Sequence, residues 1–435
     1  MTLSFSKHTL DNGLDVLVHE DHRCPIVAVN LWYHVGSKNE VPGHTGFAHL
    51  FEHLMFEGSQ HYDKGYFEPL QGAGGSLNGS TNADRTNYWE VMPSNGLELA
   101  LWMESDRMGF LLPALTDAKF ANQRDVVLNE RRQNYENRPY GLASMAMLAG
   151  LFPPDHPYHW STIGEIEDLR RVRLDEVREF FSSYYHPANA SLALAGDVEP
   201  GEAVELARAY FGDIPPGPPV APLQLPAASL AAETRQLIED RVELPRVHVA
   251  WLTLPMFAAG DADLDLAADI LANGKTSRLY RRLVFEERSA TDVAATQNSR
   301  ESAGFFQIAA TAAPGHSLSD LERAIAEEVG RLAADGPTDA ELNRCRVQAE
   351  AQFVLRLQTV GGFGGKSDQL NAYNTFVGDP DFFTRDLERY QNVTAASLRQ
   401  AVREYLAHER RVVLSIVPRG RVDLALPGSV PSTVS

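Results

Sequence analysis

Two stretches set 220 residues apart, Pro25-Ile26-Val27-Ala28-Val29-Asn30-Leu31-Trp32 and Pro245-Arg246-Val247-His248-Val249-Ala250-Trp251-Leu252, both read as strands headed by proline. The echo returns near the end of each half of the chain. A helix over Leu174 to Tyr184 followed by a strand over Ala190 to Leu194 is answered by a helix over Ser397 to Leu406 followed by a strand over Arg411 to Ile416. Between the halves, Ile214 to Pro226 carries six prolines, a density that makes an extended linker. A chain of 435 residues has room for two or three separate cores. The expectation is therefore two similar α+β domains, at 1–213 and 233–435, joined by a proline-rich linker at 214–232.

The first half holds Gly46-Phe47-Ala48-His49-Leu50-Phe51-Glu52-His53-Leu54-Met55-Phe56, which reads as one helix. At about 100° per residue, His49, His53 and Glu52 fall at about 0°, 40° and 300°, on one face. Phe47, Leu50, Phe51 and Leu54 supply the apolar surface that packs such a helix into a core. Two imidazoles four residues apart can bind one Zn2+ ion, and a glutamate beside them can take a proton from water. The order His-x-x-Glu-His is the inverzincin arrangement. With 14 histidines in the chain, an accidental match is expected about 0.03 times on composition alone.

Such a site needs a third protein ligand and an open position. The acidic-basic stretch Asp125-Val126-Val127-Leu128-Asn129-Glu130-Arg131-Arg132-Gln133 reads as a helix with Val126 and Val127 facing inward. From these residues the chain resembles the pitrilysin-type zinc metallopeptidases, the group containing insulin-degrading enzyme and the mitochondrial processing peptidase. The resemblance implies a ligand glutamate seventy-seven positions after the second histidine, which is Glu130. It implies one zinc ion per chain on His49, His53 and Glu130, with Glu52 as general base. It also implies two domains, each a mostly antiparallel sheet packed with helices. Gly75 to Asn82 and the following Ala83-Asp84-Arg85-Thr86-Asn87-Tyr88-Trp89 resemble the family's edge strand and turn, where substrate backbone pairs by β-addition. Asn78 and Gly79 are the implied substrate-binding positions, Gly79 standing where the family usually has alanine; the alternative for Asn78 is a residue satisfying a turn. Gln123 stands where the family often has a second glutamate, and an amide cannot share a proton as a carboxyl can.

At the 220-residue offset, His49, Glu52 and His53 fall on Asp269, Ala272 and Asn273, so the second half carries no such site. In the resembling family a non-catalytic unit supplies an arginine and a tyrosine seven residues apart. Here those positions are Val284 and Thr291. The implied partner is a homologous second subunit carrying that pair, as in a heterodimer whose short bacterial catalytic subunit this chain resembles. The alternative is a homodimer in which Arg281 or Arg282 does that work.

Composition narrows the field. A net charge of −19 argues against nucleic acid and fits a solvated acidic surface, or a cavity for cationic peptides and a divalent metal. There is no run of eighteen apolar residues and hence no membrane span. Met1 to Leu10 has no signal-peptide core, which predicts a cytoplasmic protein, or a periplasmic one if a signal has been removed. Cys24 and Cys345 are too few for a disulfide scaffold and are expected as buried, inert thiols. Thr338 to Glu341 opens a helix with a capping box that runs to about Gln358, and Gly361-Gly362-Phe363-Gly364-Gly365 reads as the turn after it. Pro427 to Ser435 reads as an unstructured tail. Two function classes follow: a zinc endopeptidase acting on peptides or unfolded chains in a closed chamber, or a non-catalytic scaffold subunit. A zinc hydrolase of small amides is a third, disfavoured by the edge strand.

Overall fold

The computed structural model describes residues 3–432 and 434. Among them, twelve strands form two six-stranded sheets. The first holds β1 (Ser6–Thr9), β2 (Asp15–Glu20), β3 (Ile26–Tyr33), β4 (Ser76–Thr81), β5 (Thr86–Pro93) and β6 (Ala190–Gly196), in the order β1-β2-β6-β3-β5-β4. The second holds β7 (Thr234–Asp240), β8 (Arg246–Thr253), β9 (Ala290–Asn298), β10 (Gly304–Ala312), β11 (Val412–Pro418) and β12 (Val430–Pro431), in the order β12-β7-β11-β8-β10-β9. Pairing is antiparallel except for β2 with β6 in the first sheet, and β7 with β11 and β12 in the second. The first sheet's β2-β6-β3-β5-β4 matches β7-β11-β8-β10-β9 strand for strand, so the sequence echo reports a repeated, mostly antiparallel architecture.

Burial explains the strand sequences. β3 is a nearly continuous apolar run because every residue after Ile26 is buried, whereas alternation belongs to strands with one wet face. β4 is short, polar and paired only with β5, as suits an exposed edge.

Packing groups Met1–Asn129, Ser161–Gln224 and Gln352–Arg385 into one unit, and Glu130–Trp160, Leu225–Ala351 and Asp386–Ser435 into another. In the first unit, helix Lys366–Val377 lies on β2, β6 and β3. Its Asn371 amide donates to the Asn30 carbonyl at 2.7 Å, and its Asp368 accepts from Asn30, Trp32 and Asn87. In the second unit, helix Ala143–Leu151 lies on β11 and β8. Gly150 permits that approach, since a Cβ there would stand 2.6 Å from Gln236 Nε2 and 2.9 Å from Val412 Cγ1. Each sheet is thus covered in part by a helix from the other half of the sequence.

Several local expectations change. Cys24 is exposed, and only Cys345 is buried. Val127 is buried but Val126 is 39% exposed, because adjacent helical positions are 100° apart and only one can face the core. The tail is not wholly loose: Val430–Pro431 pairs with β7, and Ser432 N–H donates to Leu237 O at 2.8 Å. Residues 433 and 435 of that tail lie outside the described residues, as do residues 1 and 2 of the amino-terminal stretch. The capping box at Thr338 and Glu341 is present, and its helix ends at Arg356. No described element lies between Phe211 and Thr234, across the proline-rich linker. No helix among the described residues is long and apolar enough to cross a membrane.

Candidate metal centre

The motif helix spans Phe47–Leu54. It starts at Gly46, whose φ of +90° is left-handed and whose Cβ would meet Ile163 O and Leu169 Cδ2 at 2.9 Å each, so glycine is required there. Glu40 supplies the cap: its carboxylate accepts from Gly46 N at 3.0 Å and Ala48 N at 2.9 Å, satisfying amides that the first helical turn leaves open. Phe47, Leu50, Phe51 and Leu54 are buried. Phe51 packs against Phe180, Phe181 and Tyr185, with ring centroids 5.2 to 6.1 Å apart. That aromatic layer fixes the rotation of the helix and leaves His49, Glu52 and His53 half-buried on its other side. The two imidazoles lie 4.9 Å apart between centroids, at 79° to each other.

Glu130 comes from helix Asp117–Arg131, which is continuous although the division between units falls at Asn129 and Glu130. One turn on, Asn134 donates to Glu130 Oε1 at 3.3 Å. Gln123, two turns earlier, donates its amide to Glu57 just beyond the motif helix. At the position of the family's second glutamate, this chain therefore has a neutral donor engaged with a carboxylate. Donor atoms of His49, His53 and Glu130 all lie within 4.8 Å of one another. Two neutral nitrogens and a carboxylate are the donor set of a catalytic zinc site, in which ligands stand about 2.0–2.2 Å from the ion and a fourth position stays open. The residues present fit that group.

Around them, β4 forms the sheet edge beside the motif helix. Asn78 is exposed on it, with its side-chain oxygen accepting from Gly79 N at 2.8 Å. Gly79 is buried, and an added Cβ would come within 3.1–3.2 Å of Tyr88 and Phe56, which fill the space an alanine would need. Arg85, just before β5, was not singled out from sequence because nothing local marks it. Its guanidinium donates to Ser80 O at 2.8 Å on β4. Burial lowers its pKa, opposed by the charges of Asp368 and Glu52, so a cation stands in the field of the expected base. Burial likewise pushes the Tyr88 phenol well up, with the Glu52 charge adding to the effect.

The second half shows no counterpart among the described residues. Asn273 donates to Asp269 at 2.8 Å, a helical hydrogen bond one turn long. Val284 is half-buried and Thr291 exposed. Arg281 pairs with Glu286, while Arg282 is held by Glu287, Glu327 and Glu328. A second histidine-acid group, Glu20, His22 and Glu199, is exposed at the surface. There both ring nitrogens of His22 are already taken, by Glu20 and Asp197 at 2.7 Å each.

Comparison with known proteins gives two family matches. The insulinase (peptidase family M16) profile matches residues 15–150, and the profile described as the peptidase M16 inactive domain matches residues 171–348. The chain is 27% identical to the zinc protease PqqE of Helicobacter pylori over 94% of this chain and 92% of that one. It is 24% identical to the probable mitochondrial-processing peptidase subunit beta of Arabidopsis thaliana, over 94% of this chain and 77% of the other. A crystal structure of a protease from Helicobacter pylori has the same fold, with a TM-score of 0.87 at 24% identity over 96% of this chain and all of that one.

Proposed function

We propose that this chain, which belongs to the insulinase family of peptidases, family M16, is a zinc-dependent endopeptidase hydrolysing peptides or unfolded polypeptides. The observation that carries the reading is the convergence of His49, His53 and Glu130 donors within 4.8 Å, with Glu52 on the same helix. Relatives named as zinc proteases support it.

His49, His53 and Glu130 would hold one zinc ion, whose chemistry when bound is Lewis acidity toward a carbonyl and toward water. Glu52, one residue from a ligand but not itself one, takes the proton of the attacking water and passes it to the leaving amine. The open edge of β4 holds the peptide backbone by strand addition, with Asn78 and Gly79 beside it, a mode that gives affinity with little side-chain selectivity. Arg85 anchors the same strand through Ser80 while lending positive charge to the surroundings of Glu52.

A homologous second subunit carrying the missing arginine-tyrosine pair completes the site. Supporting this over a homodimer, Arg281 and Arg282 are already engaged by carboxylates on their own surface.

The test is cleavage of a mixed quenched-peptide library by the zinc-loaded chain, alone and with a candidate second subunit, beside Glu52→Gln. Wild-type cleavage should fall by about 10²-fold or more in Glu52→Gln, as expected for loss of a general base, at unchanged zinc content. Absence of cleavage in both mixtures, despite bound zinc, would favour the scaffold reading.

A further inference from the structure

Glu130 stands at the end of its element. Arg131 closes helix Asp117–Arg131 and a π-helical turn over Arg132–Glu136 follows, so the residue sits where the helical pitch changes. Downstream it meets the Asn134 amide at 3.3 Å. Upstream, Phe120 and Val127 are buried and hold the helix to the core. Apolar contact is non-directional, so by itself it leaves the helix small freedoms of sliding and pivoting. A zinc site tolerates little of either, because its ligands must stand about 2.0–2.2 Å from one ion. A directional tie to the element carrying His49 and His53 would remove them.

Glu57 supplies that tie. The chain makes one more turn beyond the motif helix, where Phe56 N–H donates to His53 O and Glu57 N–H to Leu54 O, both at 3.1 Å. The ring of Phe56 is fixed there by Tyr66, Phe67 and Tyr88, with centroids 4.8 to 5.7 Å apart. Glu57 is thus a rigid continuation of the element that carries the two histidines. Its carboxylate accepts from the Gln123 amide, and Gln123 is 9% exposed. A carboxylate only accepts and an amide N–H donates, so the bond is charge-assisted and needs no proton shared between its partners. Gln123 and Glu130 are seven residues apart, which at about 100° per residue brings them within about 20° of one direction and about 10 Å apart along the axis. One face of the ligand helix is therefore fastened at two levels, by Gln123 on Glu57 and by Glu130 beside His49 and His53.

We infer that Glu57 is a positioning residue of the metal centre, which through Gln123 sets the reach of Glu130 toward His49 and His53. The inference rests on the zinc reading of those three residues.

The test exchanges the two groups in the full chain. Gln123→Glu sets two carboxylates against each other and should weaken zinc binding by about tenfold, read by chelator competition. Adding Glu57→Gln returns one carboxylate and one amide, their elements exchanged, and should bring affinity back to within about twofold of the parent. The visible absorption of the cobalt-loaded chain, which follows ligand geometry, should change in Gln123→Glu and return in the double variant. Glu57→Gln alone keeps the size of the side chain and gives up the charge-assisted bond, an expected loss of about threefold to fivefold in zinc affinity. Parental zinc affinity and cobalt absorption in both single variants would overturn the inference, whatever their melting temperatures, because the bond would then serve the fold alone. Losses that simply add in the double variant would overturn it as well. None of these readings needs turnover. Recovery in the double variant beside a parent that cleaves no peptide keeps the inference and sinks the peptidase reading; cleavage by a parent whose single variants bind zinc unchanged does the reverse.

Discussion

Arg107 is 1% exposed, with its guanidinium 4.1 Å from the centre of the Tyr66 ring and 4.0 Å from that of Tyr88. Two carboxylates reach it: Glu104, paired through two nitrogens, and Glu90 at 3.5 Å. One buried cation cannot offset two buried anions. Burial first, then the Glu104 charge, pushes the Glu90 carboxyl well above its ordinary value despite Arg107. The preference for neutral Glu90 is stability that is complete below the unfolded carboxyl value and lost as pH rises toward the folded one. Glu90→Gln, neutral at every pH, should therefore gain on the wild type as pH rises from 5 to 9, by at most about 1.4 kcal/mol per unit. Urea melts across that range check it, and a constant difference would show Glu90 to be ionised throughout. Arg107→Ala should cost about 3–5 kcal/mol, since it strands a buried charge.

The motif helix was legible because its signal is local: apolar positions recur at helical spacing and the ligands share the opposite face. What holds its first turn was not. The cap is Glu40, six residues before a left-handed glycine, and no capping rule based on adjacent residues points to it. Val126 departs from the inward placement expected of it for a related reason, since two adjacent valines say that a helix is apolar without saying which one the core accepts. Gly79 was visible as a departure, but the reason for it, the rings of Phe56 and Tyr88, exists only across strands. Glu40→Ala leaves two buried amides without their acceptor, an expected loss of about 1–3 kcal/mol. Because His49 lies in that first turn, the same variant should weaken zinc binding by several-fold. Chelator competition would read this loss, and unchanged affinity would mean that the aromatic layer alone orients the ligands.

At the scale of the whole molecule, the duplication could be read because each half repeats the same order of local signals. The placement of helices Lys366–Val377 and Ala143–Leu151 could not. Nothing in an amphipathic pattern says which of two similar sheets will accept it, and the deciding contacts are long-range. Asn371 satisfies Asn30 O and accepts from Ser191, while Asp368 gathers donors from Asn30, Trp32 and Asn87. Asn30 and Asn87 are fully buried, and cutting the chain at the linker would take Asp368 from both and Asn371 from the Asn30 carbonyl, leaving only their bonds to each other and to Ser80. Each buried polar group so stranded costs about 1–3 kcal/mol, against a total of about 5–15 kcal/mol for a typical folded domain. The segment 1–224, although it contains His49, Glu52, His53 and Glu130, is therefore expected to lack a cooperative melt when expressed alone. Adding 225–435 by co-expression should restore both the melt and stoichiometric zinc. A sharp thermal transition and tight zinc binding by 1–224 alone would show that the motif half needs nothing from beyond the linker, and that the contacts of Asp368 and Asn371 are dispensable for its fold.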